Sequence, residues 1–411
     1  MHDYNLQSEL LIDLQTRGFI YQSTNLAALD SLASKEKIIA YVGFDCTAQS
    51  FHVGNLMQIM LMRRLQQHGH TPIILLGSAT TKIGDPSDKQ GLRKVLSAEE
   101  IQHNKMSLQK VFQKFLNFSP DISNPAKIVD NLDWLADVKY LDFLRDYGSH
   151  FSINRMLTFD SIKMRLDRQT PLTFLEFNYM LLQAYDFIEL YKTYSCKLQF
   201  GGSEQWANIV SGIELGRRVM NTDLFGITTP LITTSGGTKM GKTASGAVWL
   251  NEEMLSPYNY WQFWHNTADS DVIKFMKLYT DISIKDINKL QEITGQELNE
   301  VKKMLADEVT KLCHGADHAI IARKNAEDAF EKNLNISIEN YNLNEDMQLY
   351  KVVYNVGFAV SNSEARTLIQ ARAVRINDQI ALDDKMIITI KNLPLTLKVG
   401  KKKVIQLIYN Q

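Results

Sequence analysis

Cysteine is scarce: Cys46, Cys196 and Cys313 are the only three in 411 residues. Their scattered positions fit neither a metal cluster nor a disulfide framework, which excludes a stapled secreted domain and points to a reducing, cytoplasmic setting. No apolar stretch reaches the roughly 20 residues needed to span a bilayer, so no membrane partner is expected. Met1-His2-Asp3-Tyr4-Asn5 has no basic-then-apolar leader. Internal repeats and low-complexity tracts are also missing. Net charge is nearly absent at −1, but the balance is uneven. Gln348 to Gln411 holds ten Lys/Arg and four Asp/Glu, a net of +6, which leaves −7 for the first 347 residues. A chain of this length forms several domains with ample core.

What is present begins with an apolar, β-branched run, Ile38 to Phe44, which reads as a buried strand. A small-polar stretch from Asp45 to Ser50 ends it. Val53, Leu56, Met57, Met60, Leu61 and Leu65 then recur at helical spacing, and Gly69 is placed to stop the helix. Pro72 to Leu76 reads as a second strand. Strand, helix, strand is the unit of a doubly wound, Rossmann-like parallel sheet. His52 and Asn55 then sit at a helix N-terminus beyond a strand's carboxyl end, where such folds receive phosphates, and Gly54 lets a nucleotide approach the backbone. As bare residues, His52 and Asn55 serve equally well as helix caps.

A second segment, Thr233 to Gly246, is rich in Gly, Thr and Ser and has no apolar period, so it reads as a mobile loop. Lys239 and Lys242 on it would bring positive charge to a polyphosphate; a plain solvated basic loop is the alternative. Gly236 with Gly241-Lys242-Thr243 has the spacing of a P-loop, but Thr243 to Ala247 supplies no helix to receive phosphates. A third segment, Leu172 to Leu190, has helical apolar spacing. Tyr179, Gln183 and Asp186 share one polar stripe on it, facing either a site or water. A fourth, Leu198-Gln199-Phe200-Gly201-Gly202-Ser203, is a strand turning into a helix that Glu204 and Gln205 open.

His52-Val53-Gly54-Asn55 and Lys239-Met240-Gly241-Lys242-Thr243, about 190 residues apart, resemble the paired signatures of class I aminoacyl-tRNA synthetases. Phe177-Asn178-Tyr179-Met180-Leu181-Leu182-Gln183-Ala184-Tyr185-Asp186-Phe187 sharpens the resemblance to the bacterial type of tyrosyl-tRNA synthetase. It implies ATP-dependent activation of L-tyrosine and transfer to tRNA(Tyr), with Mg²⁺ accompanying ATP as substrate, no bound metal site, and a homodimer. It further implies that Tyr179, Gln183 and Asp85 hold the α-ammonium group, with Thr80 beside them, and that Asp186 and Tyr41 meet the phenolic hydroxyl. His52, Asn55, Lys239, Lys242 and Thr243 are the catalytic set. Asp45, Gly54, Gly202, Glu204, Gln205 and Lys242 would meet ATP, with Glu204 on the ribose. Four departures stand out: Asn55 for the second signature His, Glu204 for Asp, Ala207 for Gly, and Cys46 for Pro. The tryptophanyl relative is disfavoured because an indole offers Tyr41 and Asp186 no phenolic hydroxyl. An inactive RNA-binding protein on the same scaffold is disfavoured by retention of the charged site residues.

The resemblance also sets expected boundaries. A catalytic domain spans 1–235, with a connective, dimer-forming insertion at about 89–172. The signature loop and an α-helical domain occupy 236–336, and a polar linker 337–347. At 348–411 lies a small α+β module resembling the S4 type. Within it Ser361 and Glu364 read as a capping box, and Ala373 to Asp378 as a strand entering a turn. Lys351, Arg366, Arg372, Arg375 and Lys401 to Lys403 are its candidate RNA contacts, with Arg217 and Arg218 candidates for the acceptor arm.

Overall fold

The computed structural model describes residues 4–86, 96–237, 240–243, 246–334, 339–377, 379–400 and 403–409. It divides into two compact units, Met1–Ala326 and Glu327–Gln411.

The first unit runs α1 (Glu9–Arg17), β1 (Gln22–Ser23), α2 (Leu26–Ala33), β2 (Ile39–Asp45), α3 (Val53–Gln67), β3 (Thr71–Gly77), α4 (Ser78–Thr81), α5 (Ala98–Phe115) and β4 (Lys127–Asp130). Short helices α6 (Leu132–Leu135), α7 (Tyr140–Asp146), α8 (Ile153–Met156), α9 (Asp160–Asp167) and α10 (Phe174–Phe177) follow. Next come α11 (Tyr179–Tyr194), β5 (Leu198–Gly202), α12 (Trp206–Met220), β6 (Phe225–Thr229) and the hairpin of β7 (Lys242–Thr243) and β8 (Gly246–Ala247). Helices α13 (Pro257–His265), α14 (Val272–Tyr279), α15 (Ile284–Leu290) and α16 (Leu298–His314) complete the series, and α17 (Ala316–Leu334) starts in this unit and runs past its boundary at Ala326.

Six strands form one sheet in the order β1-β6-β5-β2-β3-β4, parallel except for β1. The chain winds outward one way from β2 through β3 to β4, and the other way from β5 to β6. The crevice beyond the carboxyl ends of β2 and β5 is therefore the topological switch point where such sheets bind ligands. Strand alternation sorts the side chains. Ala40, Val42 and Phe44 pack with α3 in the main core, while Tyr41 points to the other face, among Ile73, Leu75 and Phe187 of α11. Helix α3 buries Val53, Leu56, Met60 and Leu61 completely, each worth about 1.5–3 kcal/mol relative to exposure.

Three expected boundaries change. Strand β4 pairs in parallel with β3, so α5 and β4, expected in an insertion, are a regular crossover of the sheet, and the short helices α6 to α10 lie between β4 and α11. The helical segment is not a separate body either: Trp261, Trp264 and Tyr279 share one continuous core with Leu10, Leu56 and Phe112. Finally, the expected helix over 172–190 breaks at Asn178, where a Thr173–Glu176 capping box starts a separate turn.

Helix α14 is tied at both ends. Near its carboxyl end, Arg17 donates to the Lys277 and Ile282 carbonyls at 3.0 Å each. Arg64 donates to the Thr280 carbonyl, and Arg63 forks onto Asp281. At its start, Asp271 accepts the Ser235 N–H at 2.7 Å and Lys274 donates to the Thr233 carbonyl at 2.9 Å.

The second unit contains β9 (Glu339–Asn342), β10 (Met347–Gln348), α18 (Leu349–Asn355), α19 (Asn362–Gln370), β11 (Val374–Ile376), β12 (Gln379–Ile380), β13 (Ile387–Ile388), β14 (Leu395–Val399) and β15 (Lys403–Ile408). Its five-stranded sheet has the order β12-β11-β14-β15-β9. The expected linker thus contributes β9, parallel to β15. Ser361 caps α19 by accepting the Glu364 N–H at 3.1 Å. The returning bond from Glu364 reaches Val360 N rather than Ser361 N, so the expected capping box is shifted by one residue.

Candidate active site

The polar end of α3 is built by its own sequence. His52 is the N-cap: its Nδ1 accepts the Gly54 N–H at 3.0 Å, and Asn55 Oδ1 accepts the His52 N–H at 3.3 Å. With Nδ1 accepting, the neutral imidazole carries its proton on Nε2. Capping and site roles therefore coincide in His52 and Asn55.

The signature loop meets this helix end through backbone. Residues 248–250 run against 51–53, with Val53 N to Val248 O and Leu250 N to Phe51 O each at 2.9 Å. Met240 is buried. A Cβ on Gly54 would lie 2.9 Å from Met240 O, and one on Gly241 would lie 2.9 Å from Gly54 N. Gly241 also has φ of +90°. Lys239 lies outside the described residues. Lys242 and Thr243 are placed by backbone in β7, and their side chains lie outside the described part.

A cavity of about 370 Å³ opens between α3, the ends of β2 and β5, and α11. It gathers Tyr41, Asp45, His52, Asn55, Thr80, Asp85, Tyr179, Gln183, Asp186, Gly202, Glu204 and Gln205, all expected from sequence. At its closed end Asp186, 2% exposed, accepts Trp134 Nε1 at 2.8 Å and Asn131 Nδ2 at 3.1 Å. The Tyr41 hydroxyl is buried with no hydrogen-bond partner among the described residues, its ring edge-on to Phe187. A buried polar atom without a partner is costly, so this hydroxyl is placed to meet a ligand. Burial pushes Asp186 up to about 7, aided by Asp45 and Asp130 and opposed by the bonds from Asn131 and Trp134. Burial, with the Asp186 charge nearby, also holds the Tyr41 phenol well above its usual value.

Asp45, expected to meet ATP, lies instead beside Thr80 and Tyr179. It accepts Thr80 Oγ1 at 2.8 Å and the Tyr179 hydroxyl at 3.2 Å. Opposite, Gln205 Nε2 donates to Asp85 at 2.7 Å, and Asn208 donates to Gln183 and Gln205 at 2.9 and 3.1 Å. Asp45 and Asp85 make this side of the cavity acidic, which suits an ammonium group. Glu204 is exposed at the mouth, its carboxylate folded over Gly202. Among the described residues, no group of three or more metal-ligating side chains is present.

Sequence reasoning missed Asn131, Trp134, Gln199, Asn208 and Trp249. Asn131 had a signal: it closely follows the apolar pair Ile128-Val129, at the carboxyl end of a strand, as Asp45 does in β2. The candidate RNA contacts among the described residues are all exposed, and several are already engaged. Arg366 stacks over the Tyr350 ring at 4.1 Å and pairs with Asp384 at 3.3 Å. Arg218 donates to the His150 carbonyl. Arg217 lies in the last turn of α12, Lys351 on α18 and Arg375 on β11, while Arg372 follows α19 with φ of +57°. Lys401 and Lys402 lie outside the described residues, and Lys403 donates to the Phe358 carbonyl.

A parallel sheet with its polar crevice at the switch point, joined to a paired-signature loop, defines a class I synthetase. The family described as tRNA synthetases class I (W and Y) matches residues 33–332, and the S4 domain matches 347–392. A tyrosine–tRNA ligase of Caulobacter vibrioides is 50% identical over 410 residues, covering 98% of each chain. One from Rickettsia typhi is 49% identical over 397 residues, covering 94% of this chain and 96% of that one. Among solved structures, a C-terminally truncated mitochondrial tyrosyl-tRNA synthetase of Aspergillus nidulans aligns with TM-score 0.71 at 27% identity, covering 79% of this chain and 95% of that chain. The chain belongs to the tyrosine–tRNA ligase family.

Proposed function

We propose that this chain activates L-tyrosine with ATP and transfers it to the 3′ end of tRNA(Tyr). The observation that carries the reading is the nearness of the buried Asp186 carboxylate to the Tyr41 hydroxyl, which has no partner among the described residues, at the closed end of an acidic pocket. A phenolic hydroxyl gives the Tyr41 hydroxyl a partner and donates a further hydrogen bond to Asp186, and phenylalanine offers neither. Rejection of phenylalanine is an established trait of tyrosyl-tRNA synthetases as a class, and its magnitude belongs to them rather than to any distance in this chain. Tyr179, Gln183 and Asp85 surround the ammonium group, which turns the substrate carboxylate toward Gln205 and the α3 N-terminus. That carboxylate attacks the ATP α-phosphorus, forming tyrosyl-adenylate as pyrophosphate leaves. His52, Asn55, Lys239 and Lys242 stabilise the leaving charge, Mg²⁺ accompanies ATP, and positioning supplies most of the acceleration. The 3′-terminal adenosine hydroxyl then attacks the mixed anhydride. Leu141, Ile153 and Phe174, which are 77%, 64% and 70% exposed on the insertion, supply an apolar face for a homodimer. The enzyme works in the cytoplasm.

Pyrophosphate exchange measured with each amino acid in turn tests the assignment. Exchange with tyrosine alone is expected; exchange with tryptophan, or with none, would overturn it. Replacing Asp186 by Ala is expected to cost tyrosine about 1.5–3 kcal/mol in kcat/KM, the worth of a hydrogen bond to a charged group, and phenylalanine much less. Equal losses would make Asp186 structural.

The Asp186 titration gives a pH dependence. Tyrosine kcat/KM should rise with pH through a limb near 7, where the carboxylate ionises and accepts the phenolic hydrogen. Stability follows the opposite sign. Because the folded value lies above the ordinary 3.8, the folded state holds the extra proton between the two. This contribution is present at low pH and lost as pH rises through about 7. Absence of a limb in wild type, or its survival in Asp186→Asn, would refute the assignment.

Gly241→Ala should slow exchange about 5- to 150-fold, since positive φ and contact with Gly54 N together cost roughly 1–3 kcal/mol in placing the loop on α3. Exchange kinetics beside a thermal melt would check this, and an unchanged rate would show that the loop's approach to α3 does not matter for the chemistry.

A further inference from the structure

We propose that Lys105 and Asp130, outside the pocket, are positioning residues that set tyrosine recognition by holding the Asn131 amide against Asp186. This rests on the pocket being a tyrosine site. Asp130 and Asn131 are consecutive at the end of β4, and both are buried. Asn131 has every polar group of its side chain engaged. Its N–H donates to Leu76 O at 3.0 Å, its Oδ1 accepts the Ala79 N–H at 3.0 Å, and its Nδ2 donates to Thr80 Oγ1 at 3.0 Å and Asp186 Oδ2 at 3.1 Å. It therefore aims Asp186 only as well as the β4 terminus is itself fixed.

Asp130 does that fixing. Its Oδ1 accepts the Leu132 N–H at 3.0 Å. Its Oδ2 accepts Ser78 Oγ at 2.7 Å and Lys105 Nζ at 2.5 Å. The peptide carrying Asn131 is thus stapled to the start of α4 on one side and to α5 on the other. Lys105 is also a charge-balancing device. Asp186 faces Tyr41 and Asp45 of β2, Asp130 at the end of β4 and Tyr179 on its own helix, and the Lys105 ammonium offsets the Asp130 charge. Removing one partner of a buried pair leaves the other uncompensated, which disturbs its neighbours more than removing both.

The test is pyrophosphate exchange by the full-length enzyme from pH 5.5 to 9, with KM measured separately for tyrosine and ATP. Lys105→Met is expected to raise KM for tyrosine about tenfold, leave KM for ATP within about twofold, and move the acid limb to higher pH. The neutral double variant, Lys105→Met with Asp130→Asn, should bring the limb back and recover most of the KM. Ser78→Ala should shift KM for tyrosine in the same direction by less, and it decides the matter if Lys105→Met does not fold. The proposal is overturned if tyrosine KM stays put, if both KM values rise together, or if the double variant is no better than the single. Absence of tyrosine-dependent exchange by the wild type would instead strike the function itself, so the two failures are distinguishable.

Discussion

An enzyme ending before Glu339 is expected to form tyrosyl-adenylate within about twofold of the full-length rate yet to charge tRNA on the order of 10³-fold more slowly. All the pocket residues and the signature loop lie in the first unit, and the S4 match lies in the second. The part removed holds ten Lys/Arg and seven Asp/Glu, a net of +3, and the remaining 338 residues sum to −4, so a polyanion has its main electrostatic foothold on the part removed. The cut belongs before Glu339 because β9 pairs with β15; ending at Gln348 would leave β9 with an unpaired edge. Each lost phosphate contact should lower the slope of charging against salt by about one. Aminoacylation and pyrophosphate exchange across a salt series measure both. Normal charging with an unchanged slope would show that the second unit does not bind the RNA.

Lys242→Ala should slow adenylate formation by about 2–4 kcal/mol, comparable with losing one oxyanion donor, while tyrosine binding stays nearly constant. An ammonium that meets the phosphates chiefly as charge develops contributes to kcat and little to ground-state affinity. Single-turnover adenylate formation beside tyrosine titration would separate the two. An unchanged rate would remove Lys242 from the site.

Much of the site was legible because each part obeyed a local period. The apolar repeat of α3 located His52 and Asn55 at a helix start, and i, i+4, i+7 spacing put Tyr179, Gln183 and Asp186 on one stripe. What escaped depended on tertiary pairing. Lys127-Ile128-Val129-Asp130 is too short to declare itself a strand, so α5 and β4 read as insertion, and Asn131 and Trp134 were hidden with them. Glu339-Asn340-Tyr341-Asn342 has no apolar alternation; it is a strand because its backbone bonds to β15, and a polar strand is indistinguishable from a linker in sequence. The common core of sheet and helical segment was invisible for a related reason: apolar faces show that something covers them, not what.

The double anchoring of α14 makes that helix a strut. One end is pinned to α1 and α3 through Arg17, Arg63 and Arg64, and the other grips the stem of the signature loop at Thr233 and Ser235. The same α3 carries His52 and Asn55 at its opposite end. The loop's stem and the helix it must meet are therefore members of one rigid frame. Any rocking of that frame carries both together, and the distance between them changes only through the segment beyond Ser235. Thermal motion of the scaffold is thereby kept out of the alignment that the phosphates require.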